Sequence, residues 1–267
     1  MAQQQPAAPP APPAVQPPQH FWEHWCTAHD LIFEMYKRGP RYQYEDIVAH
    51  TWLDICGVYF YPFETPGSGG VRWNIRREAY RGLPPKKLSE VKPDIVTIRV
   101  THAQPGQASS DRHYRDYLWV ECKKATYDNP HGWKDVLHES IDRLAIAHAN
   151  RMVFLIIAVG YKCMWFVWDP LNQLPAQPAQ PQLFITRADG TGNWLIDARI
   201  KPAQPTAWIN ATTGEIVCGN AMELECRTTV QIGGQNVLQN INNLTMLENF
   251  LNGVRNATLQ GLNPPTF

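Results

Sequence analysis

The chain lacks close cysteine pairs: its six cysteines are scattered, with no Cys-x-x-Cys and no Cys/His grouping. That spacing gives little support to a structural zinc and argues against a disulfide framework. The first nineteen residues have no cationic segment and no apolar core, so neither a secretory signal nor a membrane anchor is expected there. On that reading the Asn-x-Thr sequons at Asn210, Asn243 and Asn256 stay unused, and a reducing, intracellular setting, nucleus or cytoplasm, without a membrane partner fits best. Net charge is also missing, 24 basic residues balancing 24 acidic ones. Neutrality argues against a general basic coat for nucleic acid but leaves room for a local footprint. The glycine-rich Pro66-Gly67-Ser68-Gly69-Gly70 lacks the Gly-Lys-Ser/Thr ending of a phosphate loop, and there is no Gly-x-Ser-x-Gly. Nucleotide-loop and serine-hydrolase chemistry therefore have no motif to rest on.

What is present is a folded chain with an uneven start. Residues 2–19 are almost wholly Gln, Pro and Ala and cannot bury apolar surface, which predicts a disordered tail over 1–19. From His20 to Lys37 the residues Phe21, Trp25, Ala28, Ile32 and Tyr36 recur at helical spacing, stopped by Gly39-Pro40. A second helical pattern covers Tyr44 to Tyr59, and Val71 to Ala79 reads as a strand. Trp133 to Ala149 repeats Leu137, Ile141, Leu144 and His148 on one stripe, an amphipathic helix. His148 on that stripe reads as a buried, hydrogen-bonded histidine. Met152 to Gly160 is a continuous apolar run suited to a central strand, and Cys163 to Trp168 forms another, ended by Asp169-Pro170. A core domain over 20–170 is thus expected, followed by a Pro/Gln-rich linker or loop over 171–182. Residues 183–267 form an accessory region packed on the core, with short strands around Gln182–Thr186, Asn193–Ile200, Glu215–Val217 and Met222–Val230. A final helix over Val237 to Val254 carries an apolar stripe that allows a homodimer.

Chemistry concentrates in two short stretches. Lys92-Pro93-Asp94 opens the apolar run Ile95 to Val100, and Glu121-Cys122-Lys123 closes the apolar run Tyr117 to Val120. Side chains alternate along a strand, so Glu121 and Lys123 project to one side while Cys122 turns into the core. The polar stretch His102 to Asp116 reads as a long hairpin loop, and antiparallel pairing across it brings Asp94 beside Glu121 and Lys123. Two carboxylates and an ammonium then share one place. Such a trio suits Mg²⁺ and a phosphodiester, because a hard ion takes oxygen ligands and keeps positions open for water and phosphate.

The order helix, three strands, helix, strand, with Pro-Asp on the second strand and Glu-x-Lys on the third, resembles the PD-(D/E)xK nuclease superfamily over roughly residues 42–169. The resemblance implies an α/β, restriction-endonuclease-like αβββαβ core with a mixed sheet flanked by helices, here with a C-terminal β/α extension. It implies Asp94, Glu121 and the carbonyl of Cys122 as ligands of Mg²⁺ or Mn²⁺, and Lys123 as the residue that orients the attacking water or steadies developing charge. A further acid from the first core helix is common in the family. Glu45 is the first candidate, and Glu78 on the first strand is its rival. The Gln-x-x-x-Tyr of one branch is absent, with His138, Glu139 and Asp142 in that region.

The activity so implied is divalent-metal-dependent hydrolysis of nucleic acid, DNA ahead of RNA. The alternative is an inactive nucleic-acid-binding or interaction module on the same fold. A basic approach to the site comes from Arg72, Arg76, Arg77, Arg81, Lys86 and Lys87, joined by Lys124 and, on the following helix, His138; cations in that place would neutralise phosphates. His24 and His29 read as packing or surface residues.

Overall fold

Hydrophobic stripes at helical spacing and near-continuous apolar strands meet here in one mixed sheet flanked by four helices. The computed structural model describes residues 20–62, 71–78, 92–102, 112–171, 186–187, 194–195, 199–203, 208, 210 and 216–257. The N-terminal tail, Arg81, Lys86, Lys87, and residues 172–182 of the expected linker lie outside them.

Helix α1 spans Thr27–Arg38 and ends at Gly39, whose φ of 73° is the left-handed conformation glycine adopts without a Cβ penalty. Helix α2 is Glu45–Tyr59, with Glu45 and Asp46 placed in the first turn, where the helix dipole favours acids. Strands β1 (Arg72–Arg77), β2 (Ile95–His102) and β3 (Arg112–Lys123) follow as an antiparallel meander. Helix α3, Pro130–Ala147, starts on an Asn129 side chain that accepts from Gly132 N at 2.9 Å, with Pro130 in the first turn. It crosses over to β4 (Val153–Val159), which pairs parallel with β3, and β5 (Lys162–Trp168) returns antiparallel. Part of the C-terminal region extends the same sheet. β6 (Thr186–Arg187) and β7 (Trp194–Leu195) pair antiparallel with each other, and β8 (Ile200–Pro202) and β9 (Met222–Glu223) both pair with β5 in a seven-stranded sheet. Strands β10 (Thr229–Ile232) and β11 (Gln235–Leu238) form an exposed hairpin across Gly233-Gly234, and helix α4 covers Ile241–Asn256.

Several expected boundaries move. The first helix begins at Thr27 instead of His20, because residues 20–26 form successive turns and Trp25 is 60% exposed. The third strand starts at Arg112, so the stretch read as loop includes ladder residues on both sides; a register shift between Thr97 and Ile98 absorbs the mismatch. Glu78 lies just past β1 with φ 46°, not on the strand. Of the expected strand over 215–217, residue 215 lies outside the described residues and Ile216 is a single bridge residue, while 224–228 carry no regular structure. Val237 and Leu238 belong to β11, so the last helix starts later than its apolar stripe. The shared cause is that a periodic run continues through a turn without announcing the break.

Alternation along β3 distributes the helices. Cys122 turns toward Cys56 of α2, while Trp119 meets His148 at the end of α3 and Glu121 meets Arg143 of α3, so the two helices cover opposite faces. Trp52, Trp119, Trp133, Trp165 and Trp168 are fully buried between these layers.

Candidate functional site

The site forms where β2 begins and β3 ends. Ile95 pairs with Val120, which sets Asp94 opposite Glu121 at the next step of the ladder. Asp94 Oδ2 accepts from Cys122 N at 2.6 Å, pinning its carboxylate to the β3 backbone. On the other side Arg77 pairs with Ile95, and Glu78 N donates to Asp94 O at 3.1 Å, so Glu78 is Asp94's neighbour across β1. Cys122 is fully buried and offers the site its backbone only.

Glu121 is 1% exposed. Its Oε2 accepts from Arg143 Nη1 at 2.7 Å, and its Oε1 is buried with no hydrogen-bond partner among the described residues. Burial pushes its pKa from the ordinary 4.5 up to about 8, with Arg143 pulling down and Asp94 pushing up less strongly. Asp94 is raised as well, first by burial, against the Cys122 N–H and Lys123, which lower it. Arg143 is raised too, for a different reason: burial opposes its charge, but Glu121 and Glu139 outweigh that and hold it protonated. For the pair, desolvation of Glu121 is the dominant effect, since its side chain is 1% exposed and Arg143's 17%.

Lys123 Nζ lies 3.4 Å from Glu45 Oε1 and 3.8 Å from Glu139 Oε2. Burial works against its charge, yet Glu139 and Glu45 raise its pKa, so it stays an ammonium. The first turn of α2 and the middle of α3 thus converge on the end of β3. A second lock holds that end in place: Ala125 N donates to Gln43 O at 3.2 Å and Gly160 N to Lys123 O at 2.9 Å. Gly160 has φ 59°, and a Cβ there would run into Gln43 Oε1.

Of the residues expected from the sequence, Asp94, Glu121, Lys123 and Glu45 come together, with Glu78 beside Asp94. The basic residues of β1 divide. Arg77 reaches the site rim, donating to Asp46 Oδ1 at 3.4 Å, whereas Arg72 pairs with Val100 at the far end of the strand. Five residues at about 3.4 Å each put it about 17 Å away. There it lines a cavity of about 590 Å³ with Leu53, Phe60, Trp73 and Tyr114, a hollow that contains none of the carboxylates. Arg76 and Lys124 are exposed, and His138 Nδ1 sits 3.2 Å from Asp142 Oδ2 on α3. His148 is buried 3.1 Å from Asp116 Oδ2, away from the site.

Two site residues were not expected: Arg143, and Glu139, whose Oε1 accepts from Arg143 Nη2 at 2.5 Å. Their i,i+4 spacing was the available signal, but it does not say which strand the helix faces.

A divalent ion fits this donor set. Among the described residues no three His, Cys, Asp or Glu side chains form a ready metal cluster. Asp94 and Glu121, with the Cys122 carbonyl, nevertheless offer hard oxygens side by side, and the buried Glu121 Oε1, without a hydrogen-bond partner among the described residues, is an acceptor open to a cation. No family model, curated protein or solved structure matches this chain.

Proposed function

We propose that this protein is a divalent-metal-dependent phosphodiesterase acting on nucleic acid, DNA ahead of RNA, built on a restriction-endonuclease-like core. The observation that carries the reading is the register that sets Asp94 against Glu121, with Glu121 Oε1 buried and partnerless and Lys123 on the same side. The order α2, β1, β2, β3, α3, β4 in a mixed sheet supports the αβββαβ core.

Mg²⁺ or Mn²⁺ bound here would polarise a phosphoryl oxygen and lower the pKa of a bound water. Asp94, Glu121 and the Cys122 carbonyl would hold it, with Glu45 the nearest further acid through Lys123 and Glu78 the rival beside Asp94. Lys123, kept protonated by Glu139 and Glu45, orients the attacking water or meets charge on the phosphate; it does not act as the base. Arg77, Arg76 and Lys124 flank the site as phosphate contacts.

The test is cleavage of labelled single- and double-stranded DNA, RNA and branched junctions with and without Mg²⁺ or Mn²⁺. Activity is expected only with the ion, and Asp94→Ala or Lys123→Ala should lower it by about 100-fold or more. Cleavage undiminished in chelator would overturn the reading.

A second reading, a binding module without turnover, draws on one observation: Arg143 already occupies one oxygen of Glu121, at 2.7 Å. It requires no ion site. A saturable Mn²⁺ isotherm in wild type that disappears in Asp94→Ala favours the nuclease, and its absence favours the module.

A further inference from the structure

Arg143 is placed where no surface ion pair would be. Its guanidinium enters from α3 between two carboxylates, donating from Nη1 to Glu121 Oε2 at 2.7 Å and from Nη2 to Glu139 Oε1 at 2.5 Å. The side chain is 17% exposed, Glu121's 1% and Glu139's 45%, so the chain of contacts runs from solvent to the buried end of β3. The contact takes one oxygen of Glu121 and leaves the other, Oε1, buried without a partner. Glu139 in turn touches Lys123 at 3.8 Å, so one acid anchors both cations of the site.

We infer that Arg143, held by Glu139 one helical turn before it, is the positioning residue that fixes the Glu121 carboxylate with Oε1 presented to the divalent ion. The inference rests on the metal site proposed above. The physical reason is the one that makes outer-shell partners matter in metal sites generally: a ligating carboxylate that can rotate spends part of its binding energy on being ordered. A planar guanidinium whose two arms are fixed on different carboxylates, one on Glu121 and one on Glu139, orders it better than a point charge does. The contact to Glu121 is made on the side away from the free oxygen, so ion and guanidinium share the carboxylate. A guanidinium that merely stood in for the ion would have to leave when the ion arrived, and its removal would then tighten ion binding. The two roles predict opposite signs.

The experiment is a Mn²⁺ titration, followed by electron paramagnetic resonance of the free ion, on the full chain as wild type, Arg143→Met, Arg143→Lys and Glu139→Gln, with circular dichroism confirming that each is folded. Arg143→Met should weaken Mn²⁺ binding by about 10- to 100-fold, the usual cost of losing an outer-shell partner. Arg143→Lys should recover part of the loss, because it restores the charge without the two fixed arms. Glu139→Gln should weaken binding less than Arg143→Met, since it loosens the anchor and leaves the contact. Unchanged or tighter Mn²⁺ binding in Arg143→Met, with wild type binding normally, would overturn the role of Arg143 and leave the metal site standing. Absence of Mn²⁺ binding in wild type would overturn both. Should Arg143→Met be unfolded, Arg143→Lys decides alone: wild-type affinity in that variant would contradict a geometric role for the guanidinium.

Discussion

At the scale of single residues, Glu121 is the group around which the others are arranged. Its folded pKa of about 8 lies above the unfolded value near 4.5, so the folded state holds the proton more tightly. The stability this proton contributes is complete below about pH 4.5 and is lost as pH rises through about 8. Without divalent ion, the protein should therefore become less stable across that window, and Glu121→Gln, which carries no titrating group, should flatten the slope. Urea midpoints measured from pH 5 to pH 8.5 in chelator check this. The strand period alone made much of this site legible: i and i+2 on one strand, and the ends of a hairpin meeting, suffice to gather Asp94, Glu121 and Lys123. Arg143 was not legible in the same way, because its contact depends on how α3 rotates over the sheet, which the sequence of α3 does not specify.

At the scale of elements, the site depends on two local devices that hold β3 and α3. Asn129 caps α3 through Gly132 N. Asn129→Ala should cost about 1 kcal/mol, read as a lower urea midpoint at unchanged slope. Gly160 holds the turn from β4 to β5 against Gln43 with φ 59°. Gly160→Ala should cost at least about 1–2 kcal/mol from the left-handed backbone alone, more once Gln43 is displaced, and should loosen the Lys123 end of β3. Helix interiors and strand centres followed from periodicity, whereas the edges did not. The run Val237–Val254 looked like one helix because Leu238 keeps the stripe in phase, yet Gly233 and Gly234, both at positive φ, turn the chain into a hairpin first. Likewise β3 extends back to Arg112 through residues whose polarity suggested loop, because a polar strand residue can be accommodated by a partner: Asp116 is buried 3.1 Å from His148 Nε2.

At the scale of the whole molecule, the region after the expected linker is part of the main fold. Trp208 packs edge-on against Trp165 at 4.6 Å, and Phe250 of α4 contacts Trp165 and Phe154 at 5.4 and 5.8 Å. Glu248 of α4 accepts from Tyr59 at 3.1 Å and lies 2.9 Å from His20 Nδ1, tying the C-terminal helix to α2 and the start of the fold. A chain ending at Leu171 would uncover Trp165 and Phe166, at about 1.5–3 kcal/mol for each large apolar side chain returned to water. Against a total stability of about 5–15 kcal/mol, that loss together with β8, β9 and α4 should abolish cooperative unfolding. Calorimetry of the 20–171 fragment beside the full chain tests it, and a sharp transition in the fragment would show an independent core. Composition had marked the Pro/Gln-rich stretch as a boundary, but composition reports where chain is solvated, not which strands pair across it.

The central claim is that Asp94, Glu121 and Lys123 form one metal-dependent phosphodiester site. Its most direct test is single-turnover cleavage of a nucleic acid by Glu121→Gln at saturating Mn²⁺, a change that keeps the size of the side chain and removes its charge. The account predicts a fall of about 100-fold or more relative to wild type; cleavage within a factor of about two of wild type would contradict it, since removing a group the reaction needs costs far more.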